Sequence, residues 1–370
     1  MVPIMIDRRL FTNIDWTLFG LVIAVCLVGI LNIYSATTPY KVVGLPYYIK
    51  QLYWMSFGMC IAFAVGSIDY HLLEDFSYWF YLFIVLLLVA VFVVGKSSMG
   101  AKRWLYLGFF NIQPSELMKI AIICTMARFF NNFHSVGGMS VKDLLIPLGI
   151  LAVPAALIMK QPDLGTAMLV ILIAFSMIVY VGLRWTTIVS FVLVTIPVLW
   201  ASWAYLLRPY QKNRVLDFLD PDRSRLGSGY HIIQSKIAVG SGGIVGKGYI
   251  SGTQSQLRFL PEQHTDFAFS VFAEEWGFVG CLVLIFIYLG LVLWGLNIAR
   301  RCNDRFGGLL AMGVTAMLFW HIVINIGMVI GLFPVVGVPL PFFSYGGTSM
   351  ITSMVGIGLL QSISIRKFMF

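Results

Sequence analysis

The sequence predicts an all-α polytopic membrane protein of about ten transmembrane helices, with a long extracytoplasmic loop between helices seven and eight. Three observations predict it. Of the 370 residues, 59% are hydrophobic and only 11% charged, against about 25% charged in a soluble domain. Apolar runs of about 20 residues recur down the chain, each long enough to cross roughly 30 Å of hydrocarbon as a helix; a closed β-barrel would show shorter, alternating segments. One segment breaks the pattern: residues 208–266 are the most hydrophilic stretch of the chain and hold eight of the 25 lysines and arginines.

The first apolar run, Trp16 to Tyr34, follows Arg8 and Arg9. It exceeds the roughly 7–15 residues of a signal-peptide core, so it reads as an uncleaved first helix. A short loop with Lys41 and Lys50 leads to a second span near Gln51 to Ile68. After the acidic turn Asp69 to Asp75, a third span runs from Ser77 to Val94. The loop GKSSMGAKRW then opens the segment RWLYLGFFNIQPSELMK, which feeds a fourth span ending near Asn132. A fifth span, Leu144 to Met159, stops at Lys160; Gln161-Pro162-Asp163 starts the sixth, which ends near Leu183. The seventh runs from Thr186 to Leu206 and the long loop follows. The eighth runs from Asp266 to Ala299, then come Arg300, Arg301 and Arg305, a ninth span to Phe333, the loop PVVGVPLPFFSYGGTS, a tenth span and the tail Arg366-Lys367. No repeat of fixed period divides the chain, which reads as a single membrane domain over residues 1–370 with the 208–266 loop inside it.

An even number of spans puts both termini on one side. Arg8, Arg9, Arg366, Lys367 and the Arg300 to Arg305 cluster make that side cytoplasmic by the positive-inside rule. Without the long loop, cytoplasmic ends hold ten basic residues and outer loops six; including it reverses the order. The loop's charge therefore needs another reason, and binding an anion supplies one. Nucleic acid is an unsuitable partner for the net charge of +9, because the basic residues flank membrane helices or sit in one loop, where phospholipid head groups or an anionic substrate meet them. The five cysteines show neither CxxC nor Cys/His spacing, so they read as packing residues rather than a disulfide framework or a zinc site.

On this topology helices four, six, eight and ten all start on the outer side, each through proline: Gln113-Pro114-Ser115-Glu116, Gln161-Pro162-Asp163, Pro261-Glu262 through Asp266, and Pro339 and Pro341 before Ser344-Tyr345-Gly346-Gly347. Proline suits a first helical turn and acids there complement the helix dipole, so each site alone has a plain structural reading. Glu116 adds to it, because Lys119 follows one turn later on the same face of an otherwise apolar span. Ionisable residues inside membrane helices are functional candidates by default. The pair reads either as a structural ion pair or as residues that hold the site. Asp163 has the same two readings and no evident partner. Asp266, where the loop re-enters the membrane, is the best candidate for a general base, since partial desolvation raises a carboxyl pKa toward a useful range. His264 and Asp266 do not define a metal site at this spacing. His321 and Asn325, at i and i+4 in the ninth span, read as interhelical hydrogen bonders. The glycine run Gly240 to Gly248 fails as a phosphate loop, with Ser241 where the first glycine belongs and Gly248 where a hydroxyl should follow Lys247. Its amides with Arg214, Lys236 and Lys247 form either a pyrophosphate cradle or a flexible solvated loop.

RWLYLGFFNIQPSELMK, QPDLGT, GSGYHIIQSKIAVGSGGIVGKGYISGTQSQLRFLPEQHTDF and PVVGVPLPFFSYGG together resemble the SEDS family (shape, elongation, division and sporulation). Within it, GTQSQLRFLPEQHTDF is more similar to the elongation branch than to the division branch. The resemblance covers the chain from the first helix to the tenth. It implies a ten-helix inner-membrane glycosyltransferase with its active site on the periplasmic side, polymerising lipid II into glycan strands during elongation and cell-shape maintenance. It also implies undecaprenyl pyrophosphate as leaving group and a class B penicillin-binding protein as partner. It puts the family's essential aspartate on Asp266, the candidate general base, and its conspicuous helix charges on Glu116, Lys119 and Asp163. Arg103, in the first of these motifs, joins Arg214, Lys236 and Lys247 as a substrate-binding or site-supporting candidate. A divalent cation, magnesium or manganese, is a candidate cofactor for the departing pyrophosphate.

Two other readings compete. A lipid II flippase would use intramembrane charges and a basic vestibule too, but needs polar groups reaching toward the cytoplasm, whereas here they gather at the outer ends. A scaffold that only recruits its partner would tolerate Asp266→Asn.

Overall fold

Ten helices of 16 residues or more form the body of the protein among the residues that the computed structural model describes, 14–39, 44–98, 101–106, 111–133, 137–207, 209–224, 228–260 and 262–366. Arg8, Arg9, Lys41, Pro261 and Lys367 lie outside the described residues. In chain order the helices are α1 (Trp16–Thr37), α2 (Tyr47–Ser67), α3 (His71–Val94), α4 (Pro114–Asn132), α5 (Leu145–Lys160), α6 (Leu164–Val181) and α7 (Trp185–Ala201, continued by a π-helical turn, Ser202–Leu206). Three shorter helices follow, α8 (Pro209–Leu219), α9 (Ser228–Ser241) and α10 (Thr253–Gln256), and then α11 (Ala268–Arg301), α12 (Arg305–Ile330) and α13 (Gly347–Arg366).

Seven of the ten are long and apolar enough to cross a membrane. The other three explain themselves. Helix α5 is apolar but has 16 residues, α4 carries Glu116, Lys119 and Arg128, and α2 carries Lys50 and Gln51 among tyrosines. With them the count matches the ten spans expected from hydropathy, and the loop between the seventh and the eighth is where the sequence puts it.

Burial separates centre from rim. The apolar windows of α12 and α13 are 72% and 78% buried, against 6% for the Trp185–Tyr205 span, so the ninth and tenth long helices lie in the core and the seventh stands at the edge. Small residues let the central backbones approach: a Cβ on Gly358 of α13 would fall 2.7 Å from the Ala62 carbonyl of α2, and one on Gly66 would meet Gln361 at 3.1 Å. Lipid gives helices no hydrophobic reason to associate, so such close packing and polar ties hold a bundle together. Asp15 is one tie: it caps α1 through Leu18 N (3.2 Å) and accepts from Trp294 Nε1 (2.8 Å) and Ser364 Oγ (3.0 Å).

Two segments depart from the sequence reading. The connection before α4, expected as a loop, contains a small antiparallel sheet, β1 (Lys96–Ser98), β2 (Ala101–Tyr106) and β3 (Asn111–Ile112), with Leu105 opposite Ile112. The 208–266 segment is largely helical. Helix α9 buries Ile232, Ser235 and Ala238 on one face, and Ser235 Oγ donates to the Val329 carbonyl (2.7 Å) and bonds Ser270 Oγ (2.9 Å), which docks the helix on α11 and α12. Helix α11 breaks at Gly277 (φ 63°). The glycine run enters that break: Lys247 N and Gly248 N donate to the Glu274 and Glu275 carbonyls (3.0 Å each), while Phe278 N and Val279 N donate to Gly243 O (2.9 Å) and Ile244 O (3.0 Å). Backbone groups freed by the break are satisfied by the run, as a low-dielectric setting demands.

Candidate active site

Asp266 lies in the turn that leads into α11, partly buried, and its surroundings come from four parts of the chain. The Tyr345 amide donates to the His264 carbonyl (2.9 Å), fixing the turn against the segment before α13. From α12, Asn325 Nδ2 donates to the Asp266 carbonyl (3.0 Å) and to the Val338 carbonyl (2.7 Å), tying the turn to the proline loop. That loop passes close: a Cβ on Gly337, which holds φ 72°, would fall 3.2 Å from Asp266 Oδ2. Burial pushes the Asp266 carboxyl up from 3.8 to about 6, and the Glu262 carboxylate pushes the same way; the Arg214 and Arg103 guanidinium groups oppose it, and Asp163 adds a smaller upward push. Asp163, Arg103 and Arg214 are thus all near enough to act on Asp266 electrostatically.

Asp163 is better partnered than its sequence suggests. It caps α6 through Thr166 N (3.3 Å), and its Oδ2 accepts from Gln113 Nε2 (2.9 Å) and Ser115 Oγ (3.3 Å) at the start of α4. Strand β2 brings Arg103 over it: Nε donates to the Gln161 carbonyl (3.2 Å), Nη2 to the Pro162 carbonyl, and Nη1 stands 3.9 Å from Asp163 Oδ1. The starts of α4, α6 and α11 therefore meet beneath the small sheet. This is the convergence that shared parity and proline-led starts anticipate.

One turn deeper, Glu116 and Lys119 form the pair their spacing implies. Lys119 Nζ donates to both Glu116 oxygens (2.9 Å each) and to His321 Nε2 (2.8 Å), while the other ring nitrogen faces the Met317 carbonyl (2.8 Å). The tautomer follows: Nδ1 carries the proton, and Nε2 accepts from the ammonium. All three Lys119 donors are used at a residue 1% exposed, as burying a charge requires. His321 bonds across helices as its spacing suggested, whereas Asn325 reaches the carbonyls of a turn and a loop rather than another helix.

Of the two remaining lysines, Lys247 is held by a carboxylate of α11. Lys247 Nζ bonds Glu274 Oε1 (2.7 Å) and Thr253 Oγ1 (2.8 Å), while Gln254 N and Ser255 N donate to the same carboxylate (3.0 and 3.4 Å). With two amides of the glycine run donating to α11 carbonyls, that segment is built into a kinked helix. Lys236 lies over Gly331, where a Cβ would meet its Cε at 1.9 Å, beside the C-terminal end of α12; a cation is favoured there by the helix dipole. His264 packs its ring, tilted, against Tyr47 (4.5 Å between ring centroids) and lies 5.8 Å from Tyr345. Burial holds its pKa down, with Glu262 opposing. Residues that the sequence did not single out are Ser115 and Gln113 as partners of Asp163, and the Tyr47–Tyr345 aromatic wall; QPSE carried a signal for the first two, and nothing local marked the third.

The fold and the site define a multi-span membrane protein whose helix starts converge on a carboxylate at the bundle rim. The family model FTSW_RODA_SPOVE, described as a cell cycle protein, matches residues 15–368. The chain belongs to that family. It is 43% identical to the peptidoglycan glycosyltransferase MrdB of Escherichia coli K12, covering 96% of this chain and 95% of that protein. It is 33% identical to the peptidoglycan glycosyltransferase RodA of Treponema pallidum over 96% and 98% of the two chains. Among solved structures, a chain from a peptidoglycan synthase complex, described for its coordination of polymerization and crosslinking, aligns with a TM-score of 0.83 at 32% identity over 96% of this chain and 99% of that one. The Thermus thermophilus rod shape determining protein RodA aligns with a TM-score of 0.70 at 28% identity over 96% and 98%.

Proposed function

We propose that the chain is a peptidoglycan glycosyltransferase that polymerises lipid II into glycan strands for cell elongation and cell shape, with Asp266 as general base. The observation that carries the reading is the Asp266 carboxyl, lifted to about 6 at the bundle rim with Arg103 and Arg214 near it. A base matched to neutral pH needs such a value. The 4-hydroxyl of lipid II's terminal sugar gives its proton to Asp266 as its oxygen bonds the anomeric carbon of the lipid-linked strand. The bond from that carbon to the pyrophosphate oxygen breaks, the configuration inverts, and undecaprenyl pyrophosphate leaves. Arg103 and Arg214 stabilise the charge that grows on the leaving group. Both substrates keep their tails in the bilayer while their head groups react outside it, which suits a site at the rim. Asp163 holds the sugar head group and fixes Arg103, and the Glu116–Lys119–His321 cluster holds the floor beneath.

Among the described residues, no three His, Cys, Asp or Glu side chains form a metal cage. Magnesium or manganese held partly by pyrophosphate needs only one or two carboxylates. Asp163 and Asp266 are oxygen donors of that kind, and the ion would neutralise the leaving group.

The family and the run of apolar helices support an inner-membrane protein, to which we assign cytoplasmic termini and a periplasmic site. Likeness to a complex that coordinates polymerization with crosslinking supports a class B penicillin-binding protein as partner. The test is glycan-strand formation from lipid II by the purified protein with its partner and a divalent cation, comparing the parent with Asp266→Ala at matched folding. Strands from the parent alone support the assignment. Strands from both remove Asp266 as the base, and strands from neither favour a flippase.

A further inference from the structure

At the end of α11 opposite Asp266 lies a cavity of about 480 Å³, bounded by the C-terminal ends of α6 and α11 and the start of α12. Its size falls within the roughly 300–1,000 Å³ of small-molecule sites. Arg300 and Arg305 line it, and neither guanidinium forms a hydrogen bond or ion pair among the described residues. The one acid in its wall, Asp304, is already engaged: Oδ1 accepts from Tyr70 OH (2.5 Å) and Cys302 Sγ (3.0 Å), Oδ2 from Gly307 N (2.6 Å), with His71 Nε2 at 3.9 Å. The cavity is therefore a positively charged recess whose carboxylate is turned to the protein. Its other wall is apolar, with Val181, Leu309 and the half-exposed Tyr180. From Tyr180 an exposed row on α6, Val179, Phe175 and Ile171, runs at helical spacing toward the middle of the bilayer.

We propose that this cavity binds the phosphate-bearing head group of an anionic phospholipid, with an acyl chain lying along the α6 row. The chemistry selects that occupant. Two unpaired guanidinium forks match phosphate oxygens. Tyrosine at the mouth fits the head-group level of a bilayer. The apolar row gives a tail a place that a free phosphate compound could not use. Basic pockets between helix ends on the cytoplasmic side are where anionic lipids are held, and on the topology assigned above this end faces the cytoplasmic leaflet. The site is independent of the polymerase reading, since α11 separates it from Asp266 by 34 residues.

The experiment delipidates the purified full-length protein and returns phosphatidylglycerol, phosphatidylcholine or inorganic phosphate, with bound lipid counted by native mass spectrometry. Phosphatidylglycerol is expected to bind the parent about tenfold or more tightly than it binds Arg300→Gln/Arg305→Gln. Arg301→Gln, which removes one positive charge beside the cavity but none from its wall, is expected to bind like the parent. Equal retention of phosphatidylcholine, equal loss in Arg301→Gln, or displacement of the lipid by inorganic phosphate at millimolar concentration would each overturn the proposal. Should the double variant not fold, photoactivatable phosphatidylglycerol on the parent decides. Labelling within residues 171–181 and 299–309 supports the site, and labelling only elsewhere overturns it.

Discussion

At the residue scale, Asp266 makes two commitments through one proton. Its folded pKa, about 6, lies above its ordinary value of 3.8, so the folded chain binds the proton more tightly than the unfolded one. Ionisation then costs folding stability: the cost is absent below about pH 4 and complete above about pH 6. Asp266→Asn should therefore raise stability at pH 7.5 by at most about 3 kcal/mol, read as a higher thermal midpoint, and the gain should fade near pH 4 as the parent becomes protonated. The same ionisation makes the base, so kcat/KM for strand formation should rise through pH 6 and level off. Glu262→Gln should move that inflection to lower pH and Arg214→Gln to higher pH, because the first pushes the carboxyl up and the second holds it down. An inflection that neither variant moves would show that another group titrates. Lys119 makes the opposite case, a charge whose partners are complete. Lys119→Met leaves Glu116 buried and unpaired, a loss of about 3–5 kcal/mol, whereas Glu116→Gln/Lys119→Met should recover much of the stability. If the double variant regains stability but not polymerisation, the pair acts on the site; if it regains both, the pair only packs.

At the element scale, the break in α11 and the glycine run form one unit. Gly277 holds φ 63°, and a Cβ there would lie 2.3 Å from Gly246 N; a Cβ on Gly246 would lie 2.1 Å from the Glu275 carbonyl. Gly277→Ala should thus lower stability by at least about 2 kcal/mol, read as a lower thermal midpoint. Gly290→Ala in the same helix, whose Cβ would meet only Leu21 at 3.5 Å, should be neutral or stabilising. Equal effects would mean that the splice carries no strain. This unit also shows where the sequence was silent. Apolar runs announced the long helices, and helix-start prolines announced which acids share a depth, because both signals are local. The glycine run could be read only as a failed phosphate loop, since its partners lie in α11, and Lys119 finds His321 across 202 positions. Helix α9 hid its buried face because one of the residues on it, Ser235, is polar and satisfied only by contacts with α11 and α12. Arg103 was visible as a charge, but its strand and its place over Asp163 depend on a sheet too short to show alternation.

At the scale of the whole molecule, α11 fixes the handed arrangement of everything else. It runs from Ala268 to Arg301 and breaks at Gly277; the continuous part after the break, residues 278–301, is about 36 Å long at about 1.5 Å per residue, more than the roughly 30 Å of hydrocarbon it must cross. The turn bearing Asp266 and the arginines at 300, 301 and 305 must then lie on opposite sides, whichever side is which. Basic residues at the second end favour the cytoplasm, while the charge on 208–266 would favour the reverse if it were a topological signal rather than a substrate-facing one. Cysteine labelling separates the two. In a variant lacking the native cysteines, Ser251→Cys, exposed on the Asp266 side, should react with a membrane-impermeant maleimide in cells whose outer barrier alone is opened, and Asn303→Cys only after lysis. The reverse pattern would turn the site toward the cytoplasm, where lipid II is made rather than polymerised, and would end the polymerase assignment. Labelling at both positions before lysis would contradict a single crossing by α11.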